Sequence, residues 1–347
     1  MSSAVKDAID MRYPSLADIR VAARRLQGKA LVTPAWRWQA GPVTEGFDAG
    51  TEIWLKLELF QKTGTFKLRG AVNSVLALDE RALHRGVVAA SAGNHAIAVA
   101  YAAQTVGTHA KVLMSKRADP SRIHACRSFG AELVLTEDIH EAFRLAHEVE
   151  VQEGRTMIHA FDGPLIAQGT ATIGLEFISQ VPRLDAVIVP IGGGGLCAGV
   201  AAAIKQINPG CLVYGVEPFG ADVMYQSLLA DHPGEIESVR SIADSLGAPH
   251  ALPYSFGVCK RFVDEIVRVN DEALRKAMFY LFRDMKLVTE PATAASTAAL
   301  LGPLRERLNG KRVGLIVCGA NIDPATYAQH VVTGMQLADR HQVSCFA

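Results

Sequence analysis

The sequence predicts an α/β protein of two open lobes, each a parallel β-sheet with helices on its faces. Three observations carry this. From about residue 86 onward, short apolar runs alternate with amphipathic stretches. Most of the apolar runs end in small residues or glycine. The chain, at 347 residues, is also long for one hydrophobic core and suits two. Strands that alternate with helices must return by crossovers, and crossovers give parallel sheets.

The segment TEIWLKLEL and the region around Lys67 precede the first unit. In that unit GVVAAS reads as a buried strand, NHAIAVAYAAQTVG as a helix closed by Gly107, and AKVLMS as a strand. DPSRIHACRSFG follows as a helix closed by Gly130, then AELVLT as the next strand. The helix IHEAFRLAHEVEVQEG and the strand TMIHA finish the unit near residue 160. A second series runs DAVIVPIGGGG (strand and glycine loop), LCAGVAAAIKQI (helix), CLVYGVE (strand) and RVGLIVCGAN (late strand and loop). No Pro/Gly/Ser-rich linker and no fixed-period repeat interrupts this order. The expected division is a small α/β domain at 86–162 and a large domain from 1–85 with 163–347. The cleft between them is the expected site.

Composition narrows the function. Thirty-five Lys and Arg balance thirty-five Asp and Glu, and no basic run interleaved with aromatics suggests a nucleic-acid partner. The first twenty residues lack an apolar signal core, and nowhere do 18 apolar residues run uninterrupted. A soluble cytoplasmic protein with no membrane partner is expected. Cys126, Cys197, Cys211, Cys259, Cys318 and Cys345 form no CxxC pair and no metal-ligand spacing with histidine, which suits a reducing compartment.

Four stretches carry chemistry. IGGGGLCAG follows a strand and opens a helix, so its backbone N–H groups can close on an anion where the helix dipole helps. No Lys-Ser or Lys-Thr follows, which excludes a Walker loop. A looser reading as a dinucleotide loop, with Glu217 ending the next strand, makes a nicotinamide-dependent oxidoreductase the rival of another class. SAGNHA, residues 91–96, also lies where a strand gives way to a helix, and its turn suits a small carboxylate. GTFKLRGA places Lys67 behind Phe66 and ahead of a nearly apolar run. A lysine held in an apolar cleft has a depressed pKa, and a neutral amine is what Schiff-base chemistry requires. A phosphate loop and a reactive amine together point to pyridoxal phosphate. CGAN, residues 318–321, ends the late strand, so Cys318 should face the cleft.

With these four stretches in this order, the chain resembles the serine/threonine dehydratase family of fold-type II pyridoxal-phosphate enzymes, whose fold is that of the tryptophan synthase β subunit. The resemblance runs from TPAWRW through CGAN. It implies that Lys67 holds the cofactor as a Schiff base and carries the substrate's Cα proton, with Phe66 against the pyridine ring. It further implies that Asn94 bonds the ring's 3′-hydroxyl, while Gly192, Gly193, Gly194, Gly195 and Leu196 hold the phosphate. Ser91, Ala92, Gly93, Asn94 and His95 would bind the substrate carboxylate. Glu290 would stand near the ring and Cys318 opposite the pyridine nitrogen. A neutral thiol there makes a weaker electron sink than a carboxylate would, which suits β-elimination.

The implied activity is an ammonia-lyase that eliminates water from a β-hydroxy-α-amino acid such as L-threonine or L-serine, giving a 2-oxo acid and ammonia. 3-Hydroxyaspartate and phenylserine are alternative substrates, and racemisation on the same fold is an alternative reaction. Ala92 argues against a racemase, because racemases of the family place a catalytic serine there. Glu217 and Ala221 match a metal site of some relatives, but Val223 stands at its aspartate position with Asp222 one residue off, so no metal is expected. The tryptophans of TPAWRW and the segment ADSLGAP depart from the family pattern, and both are expected to alter the side-chain pocket. No regulatory domain is expected after the closing helix. The family also implies a homodimer.

Overall fold

The computed structural model describes residues 12–344. The expectations about the extreme N-terminus and Cys345 fall outside those residues. The ten strands are β1 (Ala35–Trp38), β2 (Glu52–Leu57), β3 (Val87–Ala90), β4 (Ala110–Ser115), β5 (Glu132–Thr136), β6 (Thr156–Met157), β7 (Ala186–Pro190), β8 (Leu212–Pro218), β9 (Glu265–Val269) and β10 (Arg312–Val317). They form two sheets, one of six strands in the order β1-β2-β10-β7-β8-β9 and one of four in the order β5-β4-β3-β6. Every pairing is parallel except β1 with β2. The central strands β3, β7 and β10 are buried almost throughout, as expected where helices cover both faces of a parallel sheet.

The core of the four-stranded lobe draws in Leu26, Leu68, Ala71, Val72 and Val75, which lie outside 86–162 in sequence. Leu68 through Val75 belong to the helix Lys67–Leu76, so the segment carrying Lys67 is wedged beside the small lobe. Behind it runs the helix Pro164–Gln180. The two approach closely because Gly169 has no side chain: a Cβ there would stand 2.5 Å from the Arg69 carbonyl oxygen. Alanine at 169 would therefore push the Lys67 helix out of place.

Helix ends mark the cleft. Five helices begin with side-chain caps, from Ser15, Asp79, Asp119, Asp138 and Asn270. The helices Asn94–Val106 and Gly195–Ile207 begin behind glycines with no side-chain cap. Their first N–H groups are left for another partner. Among the described residues no helix is long and apolar enough to cross a membrane.

The structure departs from the sequence reading at three places. TMIHA is a strand only at Thr156 and Met157; the Ile158 N–H makes one more bond to the sheet, at Val88, and the carbonyls of Ile158, Ala160 and Phe161 accept from the side chains of His95, Lys67 and Ser255 instead. Glu265–Val269 forms an edge strand that its mixed polarity hid. The tryptophans of TPAWRW line neither cavity of the cleft: Trp36 and Trp38 sit on the antiparallel edge strand β1, paired with Leu55 and Ile53.

Candidate active site

Strand ends bring distant residues to one cavity. β7 leads into Gly192–Leu196, β10 ends at Cys318, and the helices Lys67–Leu76 and Asn94–Val106 begin beside them. Phe66, Lys67, Asn94, Gly192, Gly193, Gly194, Gly195, Leu196, Glu290 and Cys318 all line this cavity. Sequence reasoning overlooked Phe161, Ser245 and Leu246, which line it too. Phe161 lay just past the strand read as TMIHA, in no motif, whereas Ser245 and Leu246 stood in the segment already noted as unusual.

Part of the Lys67 side chain faces the open cleft, but its amine is deep in protein. Nζ donates to the Ala160 carbonyl at 2.6 Å and lies 5.3 Å from the centre of the Phe66 ring. Burial pushes its pKa down to about 8, against the upward pull of Cys318 and Glu290. A useful fraction of neutral amine is thus available near neutral pH. Cys318 Sγ lies 3.2 Å from Thr293 Oγ1. Burial and the nearby Glu290 push this thiol up to about 12, so it is uncharged.

The Asn94 amide is held from two sides. Its Nδ2 donates to both Glu290 oxygens at 3.0 and 2.9 Å, and its Oδ1 accepts from Asn321 Nδ2 at 2.9 Å. Burial raises Glu290 to about 7, although the bond from Asn94 opposes this. His95 turns away from the cleft, with Nε2 donating to the Ile158 carbonyl at 2.8 Å. Burial and the Lys67 charge lower it to about 3, so it is neutral.

The glycine loop has the shape of a phosphate seat. A Cβ on Gly193 would stand 2.3 Å from the Phe161 ring, and one on Gly195 would stand 2.3 Å from the Phe161 carbonyl oxygen. Any side chain would therefore close the loop. Among the described residues, the N–H groups of Gly192, Gly193 and Gly194 meet no protein acceptor, and the Thr65 hydroxyl is buried without a partner. Free donors at an uncapped helix start, next to a buried amine, fit pyridoxal phosphate.

A second cavity of about 400 Å³ lies beyond the SAGNHA turn. Glu290 lines both cavities, while Ala92 lines the outer one and Asn94 the inner. Within the turn, Ser91 Oγ accepts the Gly93 N–H at 3.2 Å. The outer wall includes Ala118, Ile242, Pro291 and Ile322. Arg122 reaches over Gly93 from the small lobe and donates to Asp244 Oδ2 at 2.9 Å and to the Asn321 carbonyl at 3.1 Å. ADSLGAP thus does reach the pocket, through Asp244 and its neighbours.

The residues weighed as a metal site are engaged within the protein. Glu217 accepts the N–H groups of Met224 and Tyr225 at 3.0 and 2.7 Å. Asp222 accepts from Arg268 at 2.8 Å, and that guanidinium stacks over Tyr225.

The sequence family described as pyridoxal-phosphate dependent enzyme matches residues 32–319. The chain is 49% identical over 322 residues to the phenylserine dehydratase of Ralstonia pickettii, covering 92% of this chain and 97% of that protein. It is 39% identical over 311 residues to an L-threonine ammonia-lyase of Thermotoga maritima, covering 89% of this chain and 76% of that one. Among solved structures it is similar to maize serine racemase, with a TM-score of 0.84 and 34% identity over 91% of this chain and 98% of that one.

Proposed function

The chain belongs to the pyridoxal-phosphate-dependent enzyme family, and from that membership we propose that it is the β-substituent of the substrate, an aryl group, that the outer cavity is shaped to take. The protein is a pyridoxal-phosphate-dependent ammonia-lyase that removes water from a β-hydroxy-α-amino acid, leaving a 2-oxo acid and ammonia. The cofactor, when bound, supplies the electron sink that acidifies the substrate's Cα–H.

What the chain itself does is read from its residues. Gly192–Leu196 bind a phosphate through free N–H groups at a helix start. Lys67 Nζ holds the cofactor and then takes the Cα proton, its pKa near the working range for that exchange. Asn94 and Glu290 form one hydrogen-bonded unit that fixes the ring's polar edge. The SAGNHA turn orients the substrate carboxylate, and Ala92 offers no base to the opposite face.

The observation that carries the aryl reading is the outer cavity. At about 400 Å³ this cavity has far more room than a threonine methyl needs, and Ala118, Ile242, Pro291 and Ile322 give an aryl ring apolar contact within a wall otherwise made of polar and charged residues such as Arg117, Asp119 and Asp323. Of its two guanidinium groups, Arg122 is paired with Asp244 while Arg117 lies on the exposed rim, so a second substrate carboxylate would meet no unpaired cation in the buried part of the wall. The relative at 49% identity is a phenylserine dehydratase. Ammonia release should show kcat/KM for L-threo-phenylserine at least about tenfold above those for L-threonine and L-serine, as expected when an apolar pocket is filled. A preference for threonine or for 3-hydroxyaspartate would overturn the aryl reading.

Cys318 gives a second test. Cys318→Ser keeps a neutral group where Cys318 would face the cofactor's ring, whereas Cys318→Asp adds a carboxylate next to Glu290. The aspartate variant should lose elimination by about tenfold or more relative to the serine variant while retaining cofactor, as judged by visible absorbance. Equal rates in the two would remove any role for the neutral thiol.

A further inference from the structure

The segment Ile158–Asp162 belongs to no motif singled out in the sequence, yet cleft side chains grip it at every step. His95 donates to the Ile158 carbonyl at 2.8 Å, Lys67 to the Ala160 carbonyl at 2.6 Å, and Ser255 Oγ to the Phe161 carbonyl at 2.7 Å. Asp162 accepts the Ser255 N–H at 2.7 Å. The Phe161 ring lies against Gly193. One short turn therefore holds the reactive amine with one carbonyl and borders the phosphate seat with the next side chain.

The turn is tied from within by a single ring. His159 Nδ1 accepts the N–H groups of Phe161 at 3.2 Å and Asp162 at 2.8 Å. A nitrogen that accepts two amide protons carries none itself, so the proton is on Nε2. Protonating Nδ1 would replace two attractions with two donor–donor conflicts and open the turn.

We infer that His159 is a positioning residue of the lyase: through the turn it closes, it aims the Ala160 carbonyl at Lys67 and sets Phe161 against the phosphate loop, provided Nδ1 is unprotonated. The residue touches neither reacting atom and acts only through its neighbours. The groups whose charges act on it are Lys67 and His250, which disfavour its protonation, and Asp162, which favours it; His95 is close enough to feel its charge. Burial dominates, and His159 is lowered to about 4. The turn is therefore closed at neutral pH and opens as pH falls toward that value.

The inference rests on Lys67 as the cofactor-binding amine, and the two can fail separately. Were Lys67 not that amine, the wild-type protein would show no visible band tied to it. Were only the present inference wrong, that band would be normal and unmoved by His159. The experiment compares cofactor-loaded wild type, His159→Asn and His159→Leu. Asparagine can offer Oδ1 where histidine offers Nδ1; leucine offers nothing.

His159→Leu should release cofactor with a dissociation constant raised about tenfold, and should lower kcat about tenfold with KM little changed, as two lost amide bonds allow. His159→Asn should recover most of both. In wild type the visible band should also fall between pH 5 and 4, a limb that His159→Asn abolishes because its amide does not titrate. A leucine variant equal to wild type in cofactor affinity and pH profile would overturn the inference. So would asparagine and leucine variants impaired equally, with a matching drop in melting temperature, since that pattern marks packing alone.

Discussion

Lys67→Met abolishes turnover and the visible absorbance of bound cofactor, yet leaves the cofactor-free protein more stable than wild type. The loss of activity should exceed about 10³-fold, since one residue supplies both the attachment and the proton-transfer group. The gain in stability follows from linkage. Burial lowers the Lys67 pKa from 10.5 to about 8, so the unfolded chain binds this proton more tightly than the folded one. The group then opposes folding fully below about pH 8 and ceases to do so above 10.5. At neutral pH that opposition, less the lost bond to Ala160, amounts to about 2 kcal/mol. Urea denaturation of the two proteins without cofactor, at pH 7 and pH 10.5, measures it. Methionine that destabilises at pH 7, or a difference independent of pH, would refute the assignment of Lys67 as a strained, desolvated amine.

The opposite effect is expected two residues along. Arg69 is almost completely buried and donates to Glu58 at 2.7 and 2.8 Å and to Glu176 at 2.6 and 2.8 Å. Lys56 completes the group, donating to Glu176 at 2.7 Å and to the Thr33 carbonyl at 2.7 Å. Two cations and two carboxylates balance. The nearby guanidinium keeps Glu58 ionised despite its full burial. Arg69→Met leaves two carboxylates to one lysine and should cost about 3–5 kcal/mol of stability. Adding Glu58→Gln should return part of that loss, because it removes the stranded charge rather than a favourable contact. The denaturation midpoints of wild type, single and double variants decide this. A double variant weaker than the single by the full cost of Glu58→Gln alone would show that charge balance is not what Arg69 provides.

The contrast between these neighbours shows what the sequence could and could not convey. Lys67 stood out because its surroundings are local: Phe66 beside it and an apolar run after it. The glycine loop stood out because consecutive glycines after a strand have few other uses. Arg69 sits in the same motif and gave no such signal, since its partner Glu176 is 107 residues away and a charge's burial depends on that distant partner. Lys56 and Glu58 likewise read only as polar residues in TEIWLKLEL. Ile158–Ala160 was absorbed into the strand TMIHA because its residues suit one, and Phe161 and Asp162 after it carried no signal. What holds this segment instead comes from Lys67, His95 and Ser255, none of them near it in sequence. Glu290 was reached only by resemblance, and the outer cavity, built from the two lobes together, was not legible at all.

The place of β10 in the six-stranded sheet has a consequence for how the protein is made. This strand, Arg312–Val317, lies between β2 and β7, so the edges of β2 and β7 wait for a partner that follows both in the chain. Until it arrives, the N-terminal hairpin of β1 and β2 cannot join β7, β8 and β9, and Cys318 has not reached the cleft. Folding is therefore gated by a contact between residues some 260 positions apart, Glu52 and Arg312, a separation that slows the final step. A nascent chain on the ribosome carries the unpaired apolar edge of β2 until some 260 residues later, when Arg312 emerges to pair with Glu52. The cofactor can find its seat only once β10 has joined, and it then acts as a ligand that selects completed molecules from unfinished ones.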